Sequence, residues 1–305
     1  MPSRSFFTSG TVLLVLAWGG WKLHSTAASS SIYKSEAGAK TIERQYRGLL
    51  DRWPVPNRQL HVSTRLGETF VIECGNPSGR PLLLLHGGGV TSAMWSDAVA
   101  LWSRDFHIFA IDVIGEPGFS APSRPSPSSD AYANWLEDTL RALSVEHVSV
   151  AGASLGAWIA LDFATRHPDR VERLALISPL GLGPQRLSFL FKVLPLSLLG
   201  SWGEHRMTKI VVGPGPVDRD LMGFMCTVQE NYHPRMVQFP EFPDEALRRL
   251  QMPVTIYLGA QDVIIDTAAT RARIASVLPG AQVHYQPKSG HGIFDQWTSI
   301  EAFLR

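Results

Sequence analysis

Short apolar runs separated by segments of helical period leave this chain few folds to choose from. The runs are Leu82-Leu83-Leu84-Leu85, Ile108-Phe109-Ala110-Ile111, Val148-Ser149-Val150-Ala151, Leu174-Ala175-Leu176-Ile177, Val254-Thr255-Ile256-Tyr257-Leu258 and Val283-His284-Tyr285. Runs this apolar, without alternation, suit strands covered on both faces. Between most of them lie helix-period segments: Ser92 to Trp102, Tyr132 to Leu143, Leu155 to Arg166 and Thr267 to Leu278, with Trp297 to Leu304 closing the chain. Strand and helix in alternation predict an α/β fold, a mostly parallel central sheet of about eight strands with helices on both faces. Val62 to Thr64 and Thr69 to Glu73, around Leu66-Gly67-Glu68, predict an antiparallel hairpin at one edge.

At 305 residues the chain can bury a full core. Hydrophobic residues make up 45%, which excludes a disordered chain. Lys plus Arg number 28 against 27 Asp plus Glu, a net charge of +1 that argues against a nucleic-acid partner and against a polybasic membrane patch. Cys74 and Cys226 cannot form a zinc site or a disulfide framework; two free thiols are favoured over a single bridge. No cofactor or metal is expected.

The pattern also divides the chain. Ser5 to Trp21 carries no charge and follows Arg4, so residues 1–30 are expected to be a signal peptide or a membrane anchor, giving a membrane-anchored or secreted, extracytoplasmic protein. Residues 31–56 read as a helical extension, with a helix from Glu36 to Asp51, and 57–179 with 247–305 as the core. Between Ile177 and Pro253 no convincing strand appears. A structureless loop of that length is improbable, so 180–246 is expected to be an inserted, largely helical lid.

Chemistry concentrates at the ends of the strands. Gly152-Ala153-Ser154-Leu155-Gly156 lies between a strand and a helix, where a sharp turn presents a serine and leaves no room for side chains two residues to either side. A serine hydroxyl needs a general base, an orienting acid and donors for an oxyanion. His291 in Ser289-Gly290-His291-Gly292 follows the last strand and is the candidate base; the other histidines lack that placement. Asp262, just past a strand, is the candidate acid, with Asp266 its competitor. His86-Gly87-Gly88-Gly89 exposes backbone N–H groups; Gly88, with Gly89 in reserve, and Leu155 are the candidate oxyanion donors.

These residues, in the chain order serine, acid, histidine, resemble the α/β-hydrolase fold superfamily from about Trp53 onward, together with Asp112 and Gly115-Glu116-Pro117-Gly118-Phe119-Ser120. Trp53-Pro54-Val55, Ser63-Thr64-Arg65, Leu84-Leu85-His86-Gly87, Tyr132-Ala133-Asn134-Trp135-Leu136 and Ile177-Ser178-Pro179 are similar to bacterial carboxylesterases of the naproxen-esterase type. The resemblance implies a serine hydrolase that cleaves carboxylic esters through an acyl-enzyme. C–C bond hydrolases with the same triad are the enzymatic alternative, and a non-catalytic binding protein of this fold is the other. Two departures stand out. Glu116-Pro117 interrupts the usual D-x-x-G-x-G-x-S pattern, and the Glu116 side chain is expected to be solvated at the mouth of the site rather than to meet substrate; Asp266 occupies a position that is often proline. The lid supplies Leu180, Leu182, Phe189, Leu190, Phe191, Leu194, Met207, Leu221, Met222, Phe224 and Met225, most of them expected to pack onto the core and some to face an apolar ester substrate.

Overall fold

Residues of β3 (Arg80–Leu85) show how the sheet is built: Leu83 and Leu85 enter one apolar core, Leu82 and Leu84 the other, and all four are fully buried. A strand buried on both faces needs helices above and below it, and the sequence supplies them. The computed structural model describes residues 31–305 apart from 187, 189–194 and 236. The uncharged segment 5–21, and Phe189, Leu190, Phe191 and Leu194, lie outside the described residues. Residues 31–305 form one compact unit.

The strands are β1 (Asn57–Thr64), β2 (Gly67–Gly75), β3, β4 (Phe106–Ile111), β5 (Val148–Ala153), β6 (Val171–Ile177), β7 (Val254–Gly259) and β8 (Gln282–Gln286), in spatial order β1-β2-β4-β3-β5-β6-β7-β8. The β1–β2 hairpin pairs antiparallel and joins β4 antiparallel; every other pair is parallel. The sheet therefore matches the expected architecture, with the hairpin at its edge. β8 departs from the expectation of a strand covered on both faces. As the opposite edge it leaves Val283 and Tyr285 exposed.

The helices are α1 (Glu36–Leu50), α2 (Ser96–Trp102), α3 (Ala131–Ala142), α4 (Leu155–Arg166), α5 (Gly200–Val212), α6 (Arg219–Asn231), the single turn α7 (Asp244–Leu247), α8 (Thr267–Val277) and α9 (Trp297–Leu304). α3, α4 and α8 cover one face through Trp135, Leu136, Trp158, Phe163 and Ile274. α1, α2, α6 and α9 cover the other through Ile42, Tyr46, Trp102, Phe224 and Ile300. The interval between β6 and β7 holds a 3-10 turn at Leu196–Leu199, α5, α6 and the single turn α7. It is tied to the start of the described chain, where Tyr33 bridges Tyr232 and the Lys34 ammonium lies 3.2 Å from a Glu204 carboxylate oxygen. Cys74 and Cys226 are buried free thiols, and burial pushes the Cys74 thiol up to about 11.

A buried carboxylate organises the loops at the carboxyl edge of the sheet. Asp112, immediately after β4, accepts the Tyr46 hydroxyl at 2.7 Å and the Ser92 N–H at 3.1 Å on Oδ1, and the Phe119 N–H at 2.9 Å on Oδ2. Burial and Asp112 push the Tyr46 phenol well above its usual range, so it remains a donor. One side chain thus joins α1, the turn before α2 and the loop after β4. Replacing Tyr46 with Phe removes one charge-assisted bond and leaves a buried carboxylate short of a donor, at an expected cost of about 2 kcal/mol. Urea unfolding of Tyr46→Phe should show a lowered midpoint with an unchanged slope, and Asp112→Ala a larger loss.

Candidate active site

The turn between β5 and α4 holds Ser154 at φ 50° and ψ −110°, a conformation that side chains rarely adopt and that persists only when packing enforces it. Packing does so here. A Cβ on Gly152 would stand 2.6 Å from the Gly156 carbonyl oxygen, and one on Gly156 would collide with the Leu85 carbonyl of β3. The turn is further pinned by the Ser154 N–H, which donates to the Ile177 carbonyl at 2.8 Å. These close approaches explain both glycines of the G-x-S-x-G sequence.

His291 reaches this serine from the loop after β8. Its Nε2 lies 2.7 Å from Ser154 Oγ, and its Nδ1 lies 2.7 Å from Asp262 Oδ2. The tautomer that satisfies both bonds carries its proton on Nδ1 and accepts the serine hydroxyl at Nε2. Asp262 is fully buried, and its Oδ1 accepts the N–H groups of Ile264 at 2.7 Å and Ile265 at 3.0 Å, which fixes the plane of the carboxylate. The histidine loop is held in turn: Ser178 Oγ donates to the His291 carbonyl at 2.8 Å, and the Gly292 N–H donates to the Val212 carbonyl at the end of α5 at 2.9 Å. A Cβ on Gly290 would stand 2.6 Å from the Gly213 Cα, so these two backbones touch.

Of the two aspartates, Asp262 alone is bonded to His291. Asp266 caps α8, accepting the Ala269 N–H at 3.1 Å, and lies 3.3 Å from an Arg186 nitrogen. The Ala269 N–H first, and then Arg186, hold its carboxyl below the usual range. Its bond to the first turn of α8 makes it a helix cap.

Gly87 and Gly88 lie against the serine turn: a Cβ on Gly87 would stand 3.5 Å from Ser154 Cβ, and one on Gly88 3.8 Å from a Leu155 methyl carbon. The Gly89 N–H is already taken, donating to Glu116 Oε2 at 2.9 Å. The Gly88 N–H meets no acceptor among the described residues, and Leu155 opens α4, where a first-turn N–H has no helical partner. His86 shapes this loop without facing the site. Its Nε2 accepts the Val113 N–H at 2.8 Å and its Nδ1–H donates to the Gly87 carbonyl at 2.7 Å, while burial pushes its imidazole below the usual range and keeps it neutral.

A solvated Glu116 was the expectation from sequence, and the structure overturns it. The residue is 1% exposed and lines the pocket, with Oε2 accepting both the Gly89 N–H and the Tyr232 hydroxyl, the latter at 2.7 Å, and Oε1 lying 3.6 Å from Arg235 Nε. Tyr232 and Arg235 carry no signal in the sequence. Glu116-Pro117 is flanked by Gly115 and Gly118, which have φ of 71° and 134°.

The pocket above Ser154 has a volume of about 440 Å³. Its walls are mainly apolar, among them Met94, Leu155, Ile177, Val212, Met225 and Phe239, with Gln185, Gln229 and Gln238 as polar interruptions. Of the apolar residues expected from the lid, Leu180 and Met225 line it, whereas Leu182, Leu221 and Phe224 are buried in the two cores. Val211, Val212, Val237 and Phe239 line it unannounced. Among the described residues no group of three or more His, Cys, Asp or Glu side chains is placed to hold a metal ion.

Comparison with known proteins identifies the family. Residues 82–302 match the model of the alpha/beta hydrolase family. The chain is 31% identical over 256 residues to carboxylesterase YbfK of Bacillus subtilis (strain 168), covering 81% of this chain and 86% of that one. It is 32% identical over 273 residues to the uncharacterized carboxylesterase nap of the same organism, covering 86% and 90%. The crystal structure of naproxen esterase (carboxylesterase NP) from Bacillus subtilis superposes with a TM-score of 0.76 at 28% identity, covering 89% of this chain and 98% of that one. The strained serine turn at the sheet edge, the eight-stranded order and these likenesses have one reading: this chain belongs to the alpha/beta hydrolase family, as a carboxylesterase-like hydrolase.

Proposed function

We propose that the protein hydrolyses carboxylic esters through an acyl-enzyme, with Ser154 as nucleophile, His291 as general base and acid, and Asp262 as the orienting carboxylate. The observation that carries this reading is the unbroken line of two 2.7 Å bonds from Ser154 Oγ through His291 to Asp262. As Ser154 Oγ attacks the ester carbonyl carbon, its proton passes to His291 Nε2, and Asp262 stabilises the imidazolium that results. The carbonyl oxygen becomes an anion within reach of the Gly88 and Leu155 N–H groups. Collapse of the tetrahedral intermediate expels the alcohol, which takes the proton from His291. Water then repeats the sequence on the acyl-enzyme and releases the acid. No cofactor enters any step.

Pocket walls of this kind suit an ester with an apolar acyl or alcohol group. In this reading residues 180–246 act as a lid on the core formed by 57–179 and 247–305, and 31–56 is an extension whose helix α1 belongs to the core packing. Residues 1–30 act as a signal or membrane anchor and place the enzyme outside the cytoplasm, a proposal supported by the seventeen uncharged residues from Ser5 to Trp21. Among the described residues no helix is long and apolar enough to cross a membrane.

Three outcomes test this reading. Ser154→Ala should lose at least about three decades in kcat on p-nitrophenyl esters and lose labelling by a fluorophosphonate, while a protein that cleaves only C–C bonds of dienoate substrates would leave the ester panel silent. Asp262→Asn should remain folded and lose several decades, because the amide holds His291 in the wrong tautomer; Asp266→Ala should keep turnover within about tenfold and show only a lower melting temperature, as a lost cap does. A chain beginning at Ser31 should be soluble, folded and active without detergent, measured by circular dichroism and ester turnover.

A further inference from the structure

The oxyanion loop is the least self-sufficient part of the site. Gly87-Gly88-Gly89 has no side chains to anchor it, and Gly89, at φ 68°, has open space where a Cβ would stand, so packing does not fix that end of the loop. Glycine runs are costly to order, and the direction of the Gly88 N–H depends on that order. Three bonds tie this loop to the one after β4: Val113 N–H to His86, Ser92 N–H to Asp112, and Gly89 N–H to Glu116. The third is the bond next to Gly88.

Glu116 is itself an awkward tie. A carboxylate 1% exposed needs compensation, and Oε2 would stand 3.7 Å from a Cβ on Gly88, close to where the proposed mechanism develops a second negative charge. Compensation arrives from the segment between β6 and β7. The Tyr232 hydroxyl donates to Oε2, and the Arg235 guanidinium, 9% exposed, faces Oε1 at 3.6 Å. Burial, and then Glu116, push the Tyr232 phenol far above its usual range, so it serves only as a donor. Without Arg235 the carboxylate would be a buried charge with no counter-ion beside the oxyanion; with both residues Oε2 holds two donors and Oε1 faces a cation at 3.6 Å without a hydrogen bond.

We propose that Glu116 is a positioning residue that sets the oxyanion loop only when Tyr232 and Arg235 are seated on it, so that docking of the insertion and completion of the oxyanion site are one event. The proposal rests on the Ser154 mechanism above. Glu116 transfers no proton in it: the Ser154–His291–Asp262 line already supplies that route, and what Glu116 offers the loop is an acceptor.

The test compares Glu116→Ala, Glu116→Gln and Tyr232→Phe in the full chain. Each is assayed with p-nitrophenyl butyrate and with a trifluoromethyl ketone, whose hemiketal with Ser154 places an oxyanion in the site. Glu116→Ala should lose about 10²-fold in kcat with KM within about threefold, and should bind the ketone more weakly by a similar factor. Glu116→Gln keeps a carbonyl for the Gly89 N–H and should retain kcat within about tenfold of wild type. Tyr232→Phe, which removes the hydroxyl and keeps the ring, should lower kcat and ketone affinity together. A purely structural role would lower the melting temperature without that paired loss. Wild-type kcat in Glu116→Ala overturns the proposal, as does a loss confined to KM, or a Glu116→Gln as inactive as Glu116→Ala. If Glu116→Ala does not fold, wild-type kinetics in Tyr232→Phe overturns it alone. An active Ser154→Ala would instead overturn the mechanism on which it rests.

Discussion

The position of Ser154 is bought with contact between backbones. β5 must end, reverse at φ 50° and launch α4 so close to β3 that the first turn of the helix passes over the Leu85 carbonyl. Any side chain at 152 or 156 would lift the helix, and with it both the hydroxyl and the Leu155 N–H. Much else follows from this corner. The loops after β3, β7 and β8 open onto the same sheet edge because those strands run parallel to β5, and their turns supply Gly88, Asp262 and His291 to one point. A parallel sheet gathers residues far apart in the chain at one rim.

That logic explains what could be read from the sequence. Strand identity was legible because two-sided burial demands uninterrupted apolar runs such as Leu82 to Leu85, and helix positions because their periods survive between the runs. The serine turn was legible because its glycines are demanded by sterics, which depend on local geometry. Asp262 and Asp266 were harder to separate: both follow β7, and the difference lies in which carboxylate receives N–H groups from its own turn while facing His291, and which caps α8. β8 looked like a covered strand because Val283 and Tyr285 are apolar, although they sit exposed on an edge. Glu116 departs from expectation for a general reason. Glutamate is rarely buried, and its burial depends on Tyr232 and Arg235, more than a hundred residues away and unmarked by any pattern.

Besides the backbone bonds that Pro184 and Arg186 make to the acid loop, the insertion between β6 and β7 grips the site at two further places. Through Tyr232 and Arg235 it meets the carboxylate beside the Gly87-Gly88-Gly89 loop, and through Val212 and Gly213 it meets the loop that carries His291. The two grips differ in chemistry. The first is electrostatic and sits in a medium of low dielectric, where pairing matters most. The second is a hydrogen bond from Gly292 alongside a close approach of two glycine backbones, and is sensitive mainly to volume.

The meeting of Gly213 with Gly290 bears on how such an enzyme can be diversified. One fold hosts many functions through the sites grafted onto it, which makes an insertion beside a constant sheet a natural part to exchange. Here a transplanted cassette would have to bring a residue without a side chain to the spot occupied by Gly213, at φ 86°, or the histidine loop would be wedged aside. The insertion is thus bound to its host by a steric key, and recombination between relatives is confined to donors that carry a glycine at that point.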